Sequence, residues 1–351
     1  MTLDCDVVVV GGGPAGATTA RLLANWGYRT VVADSAPGPR AKVGEILAPS
    51  ARQILTRLGL VQALDEDQAL ARPCLGVVSD WGRPHRRDYL REPGGHGWIL
   101  DRAMFERRLA TEAIAAGAEW RWNRRLLRAA LTGDGIELHF TNPAGTSTPK
   151  RTIRCAFAID ATGRPAALGR RLGAVRRIAT RRLAEEAESM QSRAEAGYGW
   201  VDIVAGPDGW SYVATGPGGV KHHVLFGGRS RRISLPSPGS RAPSSRAWEA
   251  GFSILAPICG ERWLAVGDAA AAFDPLTSQG LPQALASGLA AAHAVRRALA
   301  GDHSAAALYH SALVRTWLRS LRGSEAVYAS EGRWPHTPFW RTAQAPADVP
   351  S

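Results

Sequence analysis

Lysine is nearly absent from this chain of 351 residues: only Lys42, Lys150 and Lys221 stand among its 43 basic side chains. The formal net charge of +12 is therefore carried by arginine. Pairs such as Arg170-Arg171, Arg176-Arg177 and Arg181-Arg182 could meet an acidic partner. No nucleic-acid motif accompanies them, so no nucleic-acid partner is expected. Long apolar runs are also missing; none could span a bilayer, and no membrane partner is expected. The run Val7 to Val10 is too short for the apolar part of a secretion signal and follows no basic segment, which makes the cytoplasm the expected location. The four cysteines (Cys5, Cys74, Cys155, Cys259) are scattered without a C-x-x-C pair, which speaks against a zinc cluster or a disulfide scaffold. The nine histidines show no metal-ligand spacing, and no metal site is expected.

What is present begins with Val7-Val8-Val9-Val10-Gly11-Gly12-Gly13-Pro14-Ala15-Gly16, a buried strand, a glycine turn and a helix start. Gly11, Gly13 and Gly16 have the spacing G-x-G-x-x-G. The first permits a sharp turn, the second lets backbone approach a pyrophosphate, and the third lets helix pack on strand. The helix start offers free N–H groups and a positive dipole end to phosphates. A second apolar run, Thr30 to Ala33, ends at Asp34, an acid placed to accept hydrogen bonds from an adenosine ribose. Together these residues predict a dinucleotide site. No second fingerprint of this kind exists, and Gly216-Pro217-Gly218-Gly219 reads as a turn.

Farther along, Asp101 caps a helix that runs to about Gly117. Strand-like runs near Ile136 to Phe140 and Arg151 to Ile159 follow, the second ending in Asp160-Ala161-Thr162-Gly163. Trp263 to Val266 is a short strand ending at Gly267-Asp268, and an alanine-rich helix extends from about Leu281 to Ala300. The intervening stretches are rich in Gly, Pro, Trp and Arg. The expected division is a discontinuous nucleotide domain over 1–75, 97–169 and 256–300, a substrate domain over 76–96 and 170–255, and a C-terminal helical segment and tail over 301–351. Ser234 to Ser245 reads as a loop or disordered connector. The fold class is α/β: a Rossmann-like domain with an interleaved α+β substrate domain and C-terminal helices.

The segment Gly267-Asp268-Ala269-Ala270-Ala271-Ala272-Phe273-Asp274-Pro275-Leu276-Thr277-Ser278-Gln279-Gly280-Leu281 adds a second strand-end acid and a second helix start. Asp268 can bind the sugar-alcohol chain of FAD, and the following N–H groups can face the electron-rich edge of its flavin. With these elements in order, the chain resembles the FAD-dependent monooxygenase and halogenase superfamily over nearly its whole length. The resemblance rests on the glycine turn, Asp34, Gly44-Glu45, Asp101-Arg102, Asp160 to Gly163 and the Gly267-Asp268 loop. It implies that Arg102 lies near the FAD phosphates, Asp268 near the ribityl chain and Pro275 to Leu281 over the ring system. Glu45 and Gln279 become candidates for the flavin's surroundings.

Val43-Gly44-Glu45-Ile46-Leu47-Ala48-Pro49 resembles the Gly-Glu-x-x-x-Pro segment of the tryptophan-halogenase-like group. Gly97 to Arg102, Gly209-Trp210-Ser211-Tyr212, Asp274 to Gly280 and Glu331 to Trp340 resemble flavoprotein maturases that hydroxylate a protein tryptophan in cysteine tryptophylquinone formation. One departure bears on the reaction. Flavin halogenases carry a lysine before a Trp-Gly pair; here Arg72 to Gly82 holds none, with Cys74 near its place. The halogenases' Trp-x-Trp-x-Ile-Pro motif is also missing. The resemblance therefore implies a monooxygenase that hydroxylates an indole or tryptophan ring, free or protein-borne, through a flavin hydroperoxide. The alternatives are a flavin halogenase, an isoprenoid-type flavin reductase and a non-catalytic flavin-bound scaffold. Without a nicotinamide domain, electrons would come from transiently bound NAD(P)H or a partner flavin reductase. Among twelve tryptophans, Trp81, Trp98 and Trp210, with Tyr212, are candidates for an aromatic substrate pocket. No catalytic acid or base is named by the sequence.

Overall fold

The first strand, Cys5–Val10, is buried on both faces beyond Asp6: Val7, Val8 and Val9 are fully buried. Such a continuous β-branched run fits the interior of a parallel sheet covered on both sides. In the computed structural model, which describes residues 3–141, 151–187, 199–227, 247–302 and 304–347, this strand is central. Thr30–Ala33 pairs parallel on one side (Val7 opposite Thr30) and Arg151–Asp160 on the other (Val7 opposite Phe157). Glu119–Arg121 and Trp263–Ala265 extend the parallel order outward. A hairpin, Arg125–Leu131 with Ile136–Thr141, adds antiparallel to the outer part of Arg151–Asp160. The parallel strands therefore end together, and their C-terminal ends carry the glycine turn, Asp34, Ala161 to Gly163 and Gly267-Asp268. This is where ligands sit in open α/β sheets.

Helices Pro14–Asn25, Arg102–Ala115 and Gly280–Leu299 pack beside this sheet. Gly288 lets two of them touch: a Cβ there would collide with the Ala15 carbonyl oxygen, and the Gly288 carbonyl accepts the Thr19 hydroxyl at 3.0 Å. Asp101 caps its helix as expected, accepting from Met104 N at 2.8 Å.

A second, seven-stranded sheet runs in the order Ala247–Glu249, Leu183–Ala187, Lys221–Gly227, Gly209–Thr215, Trp200–Gly206, Gly76–Trp81, Arg83–Asp88. Its neighbours are antiparallel except Trp200–Gly206 with Gly76–Trp81. Two segments more than a hundred residues apart thus meet in one sheet. Pro217–Gly219 is the turn that returns Gly209–Thr215 onto Lys221–Gly227. A long helix, Ala305–Ala329, joins the two layers. Its Trp317 and Leu321 pack in the core of the parallel sheet, while Tyr328 packs with Phe339 and Trp340 of helix Pro338–Ala343 behind the second. The architecture is α/β, as the sequence predicts. The connector at Ser234 to Ser245 lies outside the described residues. Among the described residues no helix is long and apolar enough to cross a membrane.

Candidate cofactor and substrate site

The three motif glycines do different things. Gly11 has φ +104°, and a Cβ there would collide with the Ala161 carbonyl oxygen; one on Gly16 would collide with the Gly11 carbonyl. These two close the turn against its own scaffold. Gly13 is the reverse case: among the described residues a Cβ on it would meet no atom within 4 Å beyond its chain neighbours. Gly13 also N-caps helix Pro14–Asn25 without any side-chain cap, and Pro14 occupies the first turn. An uncapped helix start beside an open glycine suits a pyrophosphate. Asp34 braces the turn, accepting from Gly12 N at 2.5 Å and Ala36 N at 2.7 Å.

The second loop faces the first. Gly267 has φ +54° and leads into Asp268, whose side chain is 40% exposed and pairs with Arg164 at 3.7 Å. Asp274 then caps the short turn Pro275–Thr277, accepting from Leu276 N at 2.9 Å. Ser278 adopts a left-handed conformation (φ +49°), and helix Gly280–Leu299 starts with no side-chain cap. A second uncapped helix end is thereby delivered to the same place as the first.

Both loops line one cavity of about 1070 Å³. That volume is at the upper limit of the roughly 300–1,000 Å³ usual for small-molecule and cofactor sites. The cavity runs from the glycine turn to the face of the second sheet. Its glycine-turn end is strongly basic, with Arg40, Lys42, Arg102, Arg124, Arg164 and Arg170 among its walls. Arg102 donates to Gly44 O at 2.6 Å and to Glu106 at 2.7 Å, yet among the described residues its buried Nε, like that of Arg124, has no hydrogen-bond partner. A basic wall, an uncovered glycine and two uncapped helix ends suit an anionic dinucleotide, so FAD fits these residues. Gly11, Gly13, Pro14, Ala15, Asp34, Arg102 and Gly163 would border its adenosine and phosphate half. Gly267, Asp268, Pro275 and Gly280 would border the remainder.

The opposite end is aromatic. Trp210 and Tyr212, two positions apart on Gly209–Thr215, point the same way, as strand geometry requires. Phe226 lies across the strand pair from Trp210, and the rings stack with centroids 4.0 Å apart and planes 16° apart. Trp248, Val201 and Ile203 continue the wall. The Tyr212 hydroxyl donates to Glu45 Oε2 at 3.2 Å. Burial and the Glu45 carboxylate push the Tyr212 phenol well above its ordinary range, so it stays protonated.

Six of the sequence-predicted residues do not line this cavity. Gly16 acts only through packing. Asp160 is fully buried and spends its carboxylate on Thr162 Oγ1 (2.7 Å), Thr162 N (3.0 Å), Leu168 N (3.0 Å) and Gly169 N (2.8 Å), so it holds the chain after the strand rather than a ligand. Gln279 accepts from Ser320 at 2.5 Å and pins the second loop from behind. Glu45 sits one layer back, reaching the cavity through Tyr212. Trp98 is buried in a small separate sheet, donating to Asp65 at 2.8 Å under the Arg52 guanidinium. Trp81 packs edge-on against Trp210, Tyr328 and Trp340, behind the wall. Cys74, at the halogenase lysine's expected place, is fully buried, and burial pushes its thiol up to about 12. Sequence reasoning missed Phe226, Trp248, Arg124 and Arg164. Phe226 was within reach, because the Gly216 to Gly219 turn fixes a register that sets it opposite Trp210.

A model of the family described as FAD binding domain matches residues 4–212, more than half the chain. A putative FAD-dependent oxidoreductase, LodB, from Marinomonas mediterranea is 24% identical over 97% of each chain. Among solved structures, the flavin-dependent halogenase CmlS superposes with a TM-score of 0.80 at 22% identity, over 100% of this chain and 68% of that one. QhpG, described as a peptidyl tryptophan dihydroxylase essential for tryptophylquinone cofactor biogenesis, gives 0.78 at 21% identity, over 99% of this chain and 80% of that one. The chain belongs to the FAD binding domain family and is an FAD-dependent oxidoreductase.

Proposed function

We propose that the protein is an FAD-dependent monooxygenase that hydroxylates an aromatic ring, an indole or a tryptophan side chain, free or held in a protein. The observation that carries this reading is the stacked wall of Trp210 and Phe226 in the same cavity as the flavin-facing loop, Pro275 to Gly280. FAD, when bound, supplies electron storage and oxygen activation. The chain's own residues do the rest. The wall holds a flat apolar ring and limits its orientations, which is the main contribution a protein makes to a reaction between two bound partners. Val201, Ile203 and Leu276 keep water from that ring. The uncapped start of Gly280–Leu299 presents positive potential where negative charge builds. Tyr212, with Glu45 behind it, offers a route by which a proton released in the cavity reaches a buried carboxylate.

Hydroxylation is preferred to halogenation for two reasons. No lysine occurs between Lys42 and Lys150, an interval that includes the strand Ala71–Cys74, and the Cys74 thiol is buried and protonated. Electrons come from transient NAD(P)H or a partner flavin reductase. The test is oxygen consumption by the FAD-loaded protein with NADH, NADPH or a flavin reductase, against indoles and tryptophan peptides. One aromatic class should speed oxygen use and yield a product heavier by one oxygen atom. Oxygen use that yields only peroxide with every aromatic offered would contradict the proposal.

A further inference from the structure

The cavity has two working faces, and the buried side chain of Tyr328 connects them. On the aromatic face, the Trp210 indole N–H donates to the Tyr328 hydroxyl at 2.9 Å. Tyr328 in turn donates to Asp274, 3.3 Å from Oδ2 and 3.4 Å from Oδ1. Asp274 is the cap of the flavin-facing loop, taking Leu276 N on Oδ1 at 2.9 Å and Thr277 Oγ1 on its carbonyl at 2.9 Å. Tyr328 and Asp274 are both completely buried, and Trp210 is 3% exposed. The assembly is held from the far side by Arg182, whose guanidinium donates to Asp274 Oδ2 at 2.7 Å and lies 3.9 Å from the centre of the Tyr328 ring. The same helix, Ala305–Ala329, supplies Ser320, which holds the loop's other end through Gln279. Core packing alone would explain the Tyr328 ring. It does not explain a hydroxyl that accepts from one cavity wall and donates to the cap of the opposite loop.

We propose that Tyr328 is a positioning residue that couples the aromatic wall to the flavin-facing loop, so that an aromatic ring held on the wall and FAD held under the loop raise each other's affinity. The inference rests on the reading of the wall as an aromatic site. The physical route is short. A ring lodged against Trp210 fixes its indole, the indole fixes the Tyr328 hydroxyl, and the hydroxyl fixes Asp274 and the loop it caps. Coupling of this kind is reciprocal, so each ligand must tighten the other by the same factor. Buried hydrogen bonds in a chain polarise one another, so loss of the Trp210 link weakens the Tyr328–Asp274 link, and loss of the Tyr328 hydroxyl removes both.

The test uses the FAD-loaded protein and the variants Trp210→Phe, Tyr328→Phe and the double variant. Each removes polar atoms while keeping a ring in place. Backbone amide exchange over residues 274–281 is read by mass spectrometry without any aromatic ligand. Tyr328→Phe should speed exchange there by roughly threefold to tenfold, the worth of one net hydrogen bond, and Trp210→Phe should speed it by a smaller factor. The double variant should exchange no faster than the quicker single one. Exchange at 274–281 unchanged in Trp210→Phe, or additive effects in the double variant, would overturn the proposal. In a second arm, indole is titrated into the FAD-loaded and FAD-free parent and into Tyr328→Phe. The parent should bind indole several-fold more tightly when FAD is present, and Tyr328→Phe should bind it equally in both states. Equal affinity in both states of the parent would also overturn it. Failure of the parent to bind indole, with the exchange results as expected, would instead overturn the aromatic reading of the wall and leave the Trp210–Tyr328–Asp274 link standing.

Discussion

Replacing Gly13 with valine separates cofactor binding from folding more cleanly than any other change in the site. Among the described residues a Cβ on Gly13 meets no atom within 4 Å beyond its chain neighbours, and the backbone there (φ −69°, ψ −176°) is extended, which valine can adopt. The fold therefore tolerates the residue; losing glycine at a helix N-cap costs about 1 kcal/mol or less. The new methyl groups instead enter the space in front of the uncapped helix start, where the phosphates must approach the N–H groups. Two charge-assisted hydrogen bonds lost there amount to about 3 kcal/mol, or roughly a hundredfold in Kd. The assay is FAD titration of flavin-free protein by fluorescence, with a thermal melt of the same sample. Gly11→Ala is the contrast. With φ +104° and a Cβ driven into the Ala161 carbonyl, it should cost on the order of 2–6 kcal/mol of stability before any cofactor is added. If Gly13→Val melts like the parent and binds FAD equally well, the phosphates do not lie at Gly13 and the cofactor assignment fails.

Other outcomes follow from particular residues. Asp274→Asn leaves the Arg182 guanidinium, only 6% exposed, without its counter-charge, and should destabilise the protein by about 3–5 kcal/mol in a urea titration; a loss under about 1 kcal/mol would mean the pair is not buried as described. Cys74, with its thiol raised to about 12, should resist iodoacetamide in the native protein at pH 8, where its thiolate is on the order of one part in ten thousand; rapid labelling located there by peptide mapping would contradict its burial. With reduced flavin, oxygen and bromide, indoles should gain no bromine beyond a free-peroxide control; an enzymatic brominated product would restore the halogenase reading. Trp210→Ala should lower the melting temperature and raise peroxide release together, because the ring is both buried at 3% exposure and part of the cavity wall; a fall in melting temperature with product coupling intact would remove it from the substrate site.

The cofactor half of the cavity was largely legible in the sequence, and the reason is local. The glycine turn, Asp34 and the Gly267-Asp268 loop each sit at the end of a short apolar strand and before a helix, so neighbours in sequence are neighbours in space. The substrate half depends on distant pairings. Trp210 and Tyr212 were found through their two-residue spacing, whereas Phe226 needed the hairpin register and Trp248 needed the order of the second sheet. Trp81 and Trp98 show the limit of composition: both are large rings near the expected region, but one lies behind the wall and the other beneath Arg52. Asp160 misled because a strand-end acid can serve a ligand or the next stretch of backbone, and only the positions of Leu168 N and Gly169 N distinguish the two. The Arg182–Asp274 pair joins residues 92 apart and left no local mark except the Asp-Pro start of the second loop.

The most direct measurement of the central claim is a single turnover under isotopic oxygen. FAD-loaded protein is reduced without air, mixed with an indole or a tryptophan peptide, and exposed to oxygen-18 gas. The account predicts a ring product that carries one oxygen-18 atom per reduced flavin, with the second atom in water. An aromatic product without the label, or a substrate that gains two hydrogens with no need for oxygen, would contradict it.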